Sequence, residues 1–262
     1  MKLIVYTALF ADDGLPLKEV GEFFPFKHPK DGVEYIAFTN RQDLKSDYWD
    51  VRYVMQRYSS SRLEARYHKL MPHMVLPKHD ASIWLDSCCY FTYDPKSIIR
   101  KYLTDQSADI AIHRHSDITN LVQEAIAQAW VFRNDDPSIV MDQVIKYDEM
   151  GFPIMGYDHF ETTIVLRVNN ENTTRFNELW WSELHTHSLR DQMSAPYVVW
   201  KSRSEGITIY SIPETYVAHK YSQPLPKSKV FFTIPKPKLD EAITKRTKGY
   251  IYIRRKKKPP IL

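Results

Sequence analysis

Hydrophobic and polar positions along the chain switch between a period of two and a helical period, and the switches mark its elements. Lys2 to Thr7 is an apolar, β-rich run that reads as a buried strand, ended by the turn-forming stretch from Asp12 to Pro16. Tyr35 to Thr39 is a second such run, closed by Asn40, and the Pro-, Phe- and Lys-rich residues 23 to 30 between the two read as loop. A short strand is expected around Trp49 to Val54. Ser60 to Met71 carries helix signals, with Ser60 or Ser61 as cap and Leu63, Tyr67 and Leu70 at helical spacing. Pro72 and Pro77 break that pattern, and Ala81 to Leu85 is a compact strand running straight into Asp86.

The second half continues the alternation. Helices are expected over Pro95 to Leu103, Leu121 to Phe132, Ile139 to Met150 (ended by Gly151 and Pro153) and Thr174 to Leu184. Another is expected from Gln192 to Trp200, interrupted at Pro196. Ala108 to Ile112, Thr162 to Val168 and Ile207 to Ile212 read as strands. Strands alternating with helices predict an α/β domain whose mostly parallel central sheet carries helices on both faces. No internal repeat or boundary appears before about residue 224. The division is one domain over 1–224 and a Pro- and Lys-rich, surface-wrapping tail over 225–262.

Composition narrows the class. Hydrophobic residues make up 43% and charged residues 26%, enough to bury a core without structural metal or disulfide. The formal charge is +4, but residues 245 to 262 hold eight Lys and Arg and no acid, so the remainder carries −4. The basicity belongs to a tail that can meet a polyanion or simply stay solvated, and it does not make the domain a nucleic-acid binder. The two cysteines, Cys88 and Cys89, are neighbours, so a structural bridge between them is not expected. The N-terminal apolar run is followed at once by Asp12 and Asp13 and reads as a strand rather than a signal peptide. With no other apolar run long enough to span a bilayer, the expectation is a cytoplasmic protein with no transmembrane segment.

In an open α/β sheet ligands bind beyond the carboxyl ends of the strands, so polar residues there are the ones to inspect. Asp86 is the sharpest: it is either a hard-oxygen metal ligand facing a diphosphate or an Asp capping the next turn. Arg66 and Lys69, three apart on one helix face, are candidates for phosphate contact or a solvated basic face. His113, Arg114 and His115 form a basic cluster after a strand. Asp191, flanked by Arg190 and Gln192, either caps a helix or positions hydroxyls. His219 and Lys220 follow the last strand. Trp180 is assigned to the core. No dinucleotide fingerprint, P-loop, nucleophile elbow or spaced zinc set is present.

Tyr67 to His73 and Ala81 to Asp86 resemble a glycosyltransferase-like domain family, long of unknown function, found in plant mucilage-related Golgi proteins and many bacterial proteins. Further matches follow in order: His113 to His115, Glu124 with Ala125, Gln143, Tyr147, Gly151, Pro153, Glu161, Arg167, Phe176 to Trp181, and Ser188 to Ser194. The resemblance covers about residues 1 to 220. More distantly it extends to the retaining family 8 transferases such as glycogenin. It implies a GT-A-like (Rossmann-like) fold, a nucleotide-sugar donor, usually a UDP-sugar, a glycan or other hydroxyl acceptor, and Mn²⁺ or Mg²⁺. Asp86 matches the first Asp of the family 8 Asp-x-Asp motif and His219 its metal-binding His, while Cys88 stands at the second Asp.

The resulting expectation is a metal-assisted, retaining hexosyl- or pentosyltransferase. Thr7, Thr39 and Asn40 border the nucleoside, and Arg66, Lys69, His113 and Lys220 complete the donor site. Asp86 and His219 hold the metal, and Asp191, Glu161, Arg190 and Gln192 face the sugar and acceptor. Two alternatives stay open: a catalytically inactive GT-A-like module that binds a glycan or nucleotide, motivated by Cys88, and a transferase whose basic tail delivers it to modified nucleic acid.

Overall fold

The computed structural model describes residues 1–11, 32–132, 135–213 and, as backbone, 222–224. Seven strands form the central sheet: β1 (Leu3–Leu9), β2 (Val33–Thr39), β3 (Asp50–Tyr53), β4 (Ala81–Leu85), β6 (Ile110–Arg114), β7 (Phe160–Val168) and β8 (Ile209–Ile212). Their order is β3-β2-β1-β4-β7-β6-β8. The pairs β2/β3, β1/β2, β1/β4 and β6/β8 are parallel, whereas β7 runs antiparallel to both β4 and β6. The expected mostly parallel sheet is therefore present with one reversed strand near its middle. A two-stranded ribbon of β5 (Cys89–Phe91) and β9 (Ser222–Pro224) lies outside it; neither strand is foreseen, because three residues carry too little periodicity to register.

The central strands β1 and β4 are buried on both faces, because successive side chains point to opposite sides and nearly all of theirs are apolar. In β1, Leu3 and Val5 join Ile83, Leu85, Phe91, Ile98 and Leu103 on one face. Ile4 and Tyr6 join Trp84, Val144, Val165 and Trp180 on the other. The first face is covered by α3 (Pro95–Ile99), which passes into a π-helical segment, Arg100–Thr104. The second packs on the remaining long helices: α1 (Ser61–Leu70), after which a single turn α2 (Pro72–Val75) follows, then α4 (Leu121–Ile126) with its π-helical continuation Ala127–Val131, α5 (Pro137–Glu149), α6 (Glu171–Thr186) and α7 (Asp191–Ser204). Among the described residues no helix is long and apolar enough to cross a membrane.

Local chemistry sets the pose of the helices that bear the site. Ser60 Oγ accepts from the Leu63 amide to start α1. The buried Glu64 carboxylate takes the Arg57 and Tyr58 amides at 2.7 and 3.1 Å, pinning the incoming chain. Pro196 does not interrupt α7, which runs through it. One missing N–H near the start of a helix is outweighed where Met193, Ala195, Tyr197, Val198 and Val199 are all buried. Trp180 of α6 is wholly buried, and its indole N–H donates to the Asp191 carbonyl at 3.2 Å and Ser194 Oγ at 3.1 Å, fixing the first turn of α7.

Register shifts between β6 and β7. Ile112 pairs with Val165, but the next residue, His113, pairs with Glu161, so β7 carries three unmatched residues there. The bulge interrupts the ladder locally, and pairing resumes beyond it at Glu161 and Phe160, the N-terminal end of β7. That end meets the carboxyl ends of β4 and β6.

Trp180→Ala should cost about 3–5 kcal/mol of stability by leaving a large void, while Trp181→Ala, at a half-buried position, should cost far less. Urea unfolding of the two variants checks this; equal losses would contradict the assignment of Trp180 to the core.

Candidate active site

A cavity of about 270 Å³ lies beside the bulge of β7. Glu161, Thr162 and Thr163 line it from the bulge, Asp86 and Cys88 from beyond β4, and His115 from beyond β6. Arg66 of α1, Glu124 of α4 and the run Arg190-Asp191-Gln192 at the start of α7 close it. All three strand-borne groups sit at one edge, the carboxyl edge of β1, β4 and β6, as expected of an open α/β sheet.

The charged floor is a buried lattice around Lys69. Its ammonium lies 2.6 Å from Asp191 Oδ2, 3.3 Å from Asp86 Oδ1 and 3.2 Å from Thr162 Oγ1, so its three protons have three acceptors. Thr162 in turn donates to Asp191 Oδ2 at 2.7 Å, and Arg66 binds Asp191 Oδ1 at 3.0 Å. Both oxygens of Asp191 are thereby engaged. Burial pushes this carboxyl upward, but Arg66, Lys69 and the hydrogen bonds from Lys69 and Thr162 outweigh it and hold the group well below the usual carboxylate range. Asp86 accepts the Trp84 indole N–H at 2.6 Å and Lys69 at 3.3 Å, both on Oδ1, leaving Oδ2 without a partner among the described residues.

The opposite wall has another character. Glu124 is buried, and burial pushes its carboxyl up despite Arg190, whose Nε stands 3.8 Å away. Gln128 donates to Glu124 Oε1 at 2.9 Å. His115 accepts the Asp117 and Ile118 amides on Nδ1, at 3.1 and 3.0 Å, which places its ring proton on Nε2. Burial lowers its pKa to about 4, so it is neutral at pH 7. His159, behind it, is fully buried and held neutral by the same cause.

The structure brings together seven of the expected residues: Arg66, Lys69, Asp86, Glu161, Arg190, Asp191 and Gln192. Lys69 is there as a saturated cross-link rather than a free phosphate ligand. His113 is wholly buried in β6 and does not line the cavity; His115, just past the end of that strand, lines it, while Arg114 is ion-paired with Asp158 at 2.5 Å. Thr7, Thr39 and Asn40 also lie off the cavity. Thr7 is buried, Thr39 Oγ1 accepts from the Arg41 amide, and Asn40 ties Ala11 to Gln56. His219 and Lys220 fall outside the described residues. Glu124 and Gln128 are the site residues that sequence reasoning passes over, although an acidic and an amide residue four apart on an otherwise apolar helix face are a readable signal.

Could this set hold a divalent ion? Among the described residues no three His, Cys, Asp or Glu side chains are disposed to bind one. Asp86 Oδ2 is an open hard donor, but the Lys69 ammonium already compensates that carboxylate. The described residues therefore do not fit a protein-held Mn²⁺ or Mg²⁺.

A family profile described as the TOD1/MUCI70 glycosyltransferase-like domain matches residues 36–215. The chain belongs to this family. Within it, the probable hexosyltransferase MUCI70 of Arabidopsis thaliana is 28% identical over 144 residues, which are 52% of this chain and 25% of that protein. The alkaline ceramidase TOD1 of the same plant is 23% identical over 173 residues, 62% of this chain and 37% of that one. The chain thus spans between a quarter and two fifths of the length of these relatives. Among solved structures, the apo form of the bifunctional glycosyltransferase WbbM aligns with a TM-score of 0.45 and 12% identity over 80% of this chain and 38% of its own. The TOD1/MUCI70 domain here is a glycosyltransferase-like domain with a hexosyltransferase relative.

Because Asp191 titrates below its unfolded value, its ion pairs stabilise the fold above about pH 4 and lose that contribution as the pH falls toward the folded pKa. Asp191→Asn should cost about 3–5 kcal/mol at pH 7, by stranding Lys69 and Arg66, with the gap to wild type narrowing below about pH 4. Denaturant titrations from pH 7 to 3 test this, and a gap constant across that range would refute it.

Proposed function

We propose that this domain transfers a hexose from a nucleotide-sugar, with UDP as the first nucleotide to try, to the hydroxyl of a glycan or other alcohol. The observation that carries the reading is the composition of this cavity. Guanidinium groups and carboxylates face each other at the carboxyl edge of the sheet, in a domain of the TOD1/MUCI70 glycosyltransferase-like family.

In this reading the bond between the anomeric carbon and the diphosphate oxygen breaks with its electron pair left on that oxygen. The acceptor oxygen bonds the carbon, and its proton leaves with the diphosphate. The protein's task is to stabilise the charge that builds on the departing group. Asp191 is a positioning residue: with both oxygens bound, it orients Arg66 and Lys69 rather than meeting the sugar. Glu161, Gln192 and the Glu124–Gln128 pair supply acceptors and donors for sugar hydroxyls. Asp86, with one oxygen open, faces the reacting end. Retention of configuration is proposed from the resemblance to family 8. Metal assistance rests on donors beyond the described residues, His219 among them, and no step here is routed through it.

A second reading comes from the name of one relative, alkaline ceramidase TOD1. A ceramide would need a long apolar channel, whereas this cavity presents mainly charged and amide side chains with only Ile118 and Phe132 as large apolar walls. The polar lining favours the sugar.

The test is to incubate the purified domain with a panel of nucleotide-sugars and measure nucleoside diphosphate release, with and without simple glycan acceptors, alongside fatty-acid release from ceramide. One nucleotide-sugar should turn over, and Asp86→Asn should lower that rate by roughly 10²-fold while the melting temperature stays near wild type. Nucleotide binding without turnover would instead identify a binding module. Fatty-acid release alone would establish the hydrolase.

A further inference from the structure

The disagreement between the expected metal site and the donors present leads to three arginines. Arg62 lies one turn before Arg66 on the same face of α1, and Arg190 approaches from the start of α7. Arg62 has no hydrogen-bond or ion-pair partner among the described residues, although it is only half-exposed. Burial, then the positive charges of Arg66 and Arg190, push its guanidinium pKa down, and Asp135 and Asp191 do not make up the difference. Arg62 therefore stands close enough to Arg66 and Arg190 to be repelled by both.

Their donor capacity is also unmet. Arg66 spends its bond on Asp191 and leaves Nε–H shielded from solvent with no acceptor. Arg190 binds Gln192 at 3.0 Å and likewise leaves a buried Nε–H unpaired, its nearest carboxylate, Glu124, at 3.8 Å. Converging like charges and orphaned donors both cost free energy in the unliganded fold. An anion with several oxygens relieves both at once, and a guanidinium fork matches a phosphate edge. Meanwhile Asp86, the residue that would anchor a divalent ion, is already compensated by Lys69, and Cys88 stands where a second carboxylate would be needed.

We propose that Arg62, Arg66 and Arg190 bind the diphosphate of the donor and neutralise it on departure in place of a divalent cation, so that donor binding and cleavage proceed without metal. This rests on the transferase reading above and names the groups that hold its leaving group. Arg62 becomes a binding residue that neither the family resemblance nor the cavity lining alone points to.

The experiment is isothermal titration of the purified domain with UDP, other nucleoside diphosphates and inorganic pyrophosphate, in EDTA and in Mn²⁺. It is repeated on Arg62→Gln, which breaks no hydrogen bond or ion pair among the described residues, and on Arg62→Lys, which keeps the charge. At least one diphosphate should bind equally with EDTA and Mn²⁺. Its affinity should fall at least roughly tenfold in Arg62→Gln and less in Arg62→Lys, with unchanged melting temperatures. Binding that requires Mn²⁺, or that survives Arg62→Gln, overturns the arginine assignment and leaves the transferase reading standing. No binding of any nucleoside diphosphate under either condition removes both.

Discussion

The site hangs on the buried ammonium of Lys69. A cation removed from water is tolerated only where its charge and all its protons are met, and here that demand recruits Asp191 from α7, Asp86 from beyond β4 and Thr162 from the β7 bulge. Four elements far apart in sequence are tied through one atom carried by α1. Each group it holds is held in a chosen state: Asp191 is kept ionised, Thr162 is oriented as both acceptor and donor, and one oxygen of Asp86 is taken while the other is left open. The same lattice explains why Lys69 is no substrate ligand. A residue that organises a site by saturating its own bonds has nothing left to offer.

What makes room for a ligand is the reversed strand. If β7 continued its register with β6, the space now lined by Glu161, Thr162 and Thr163 would be filled by sheet. The three unmatched residues break the ladder at the edge where β4 ends, and the Asp86 amide donates to the Thr163 carbonyl at 2.9 Å. The bulge is stabilised from outside the sheet, because its Thr162 hydroxyl is locked into the Lys69–Asp191 lattice. Cavity and lattice thus depend on one another.

Much of this was readable in the chain and some could not be. The ladder of strands was clear because β1, β2 and β4 are largely apolar runs, as a sheet covered on both faces requires. Ser60 announced the start of α1, and Asp86 announced itself as the first polar residue after a buried strand. Three things were hidden. That β7 is antiparallel depends on where the chain crosses, which periodicity does not encode. In the His113–His115 run, the bulge and the end of β6 decide which ring reaches the cavity, and that is a matter of register. Lys69 looked like an available cation because burial and saturation are properties of its neighbours, three of which lie 17, 93 and 122 positions away.

The two sides of the cavity differ in kind, and this bears on what fits there. On one side stand Arg66, Arg190 and, behind them, Arg62, with Asp191 held ionised between Arg66 and Lys69. On the other side burial disfavours charge: the Glu124 carboxyl is pushed up, and His115 and His159 are kept neutral. A ligand that is anionic throughout would meet Glu124 and the neutral histidines, which offer its charge no cation. An uncharged one would leave the arginines unpaired. A molecule with a multiply charged anionic end and a neutral polyhydroxyl end satisfies both walls in a single orientation, and that orientation sets the bond between the two ends across the cavity, beside Asp86. In the proposed reading, the polarity of the site selects a nucleotide-sugar and aligns the bond that is to break.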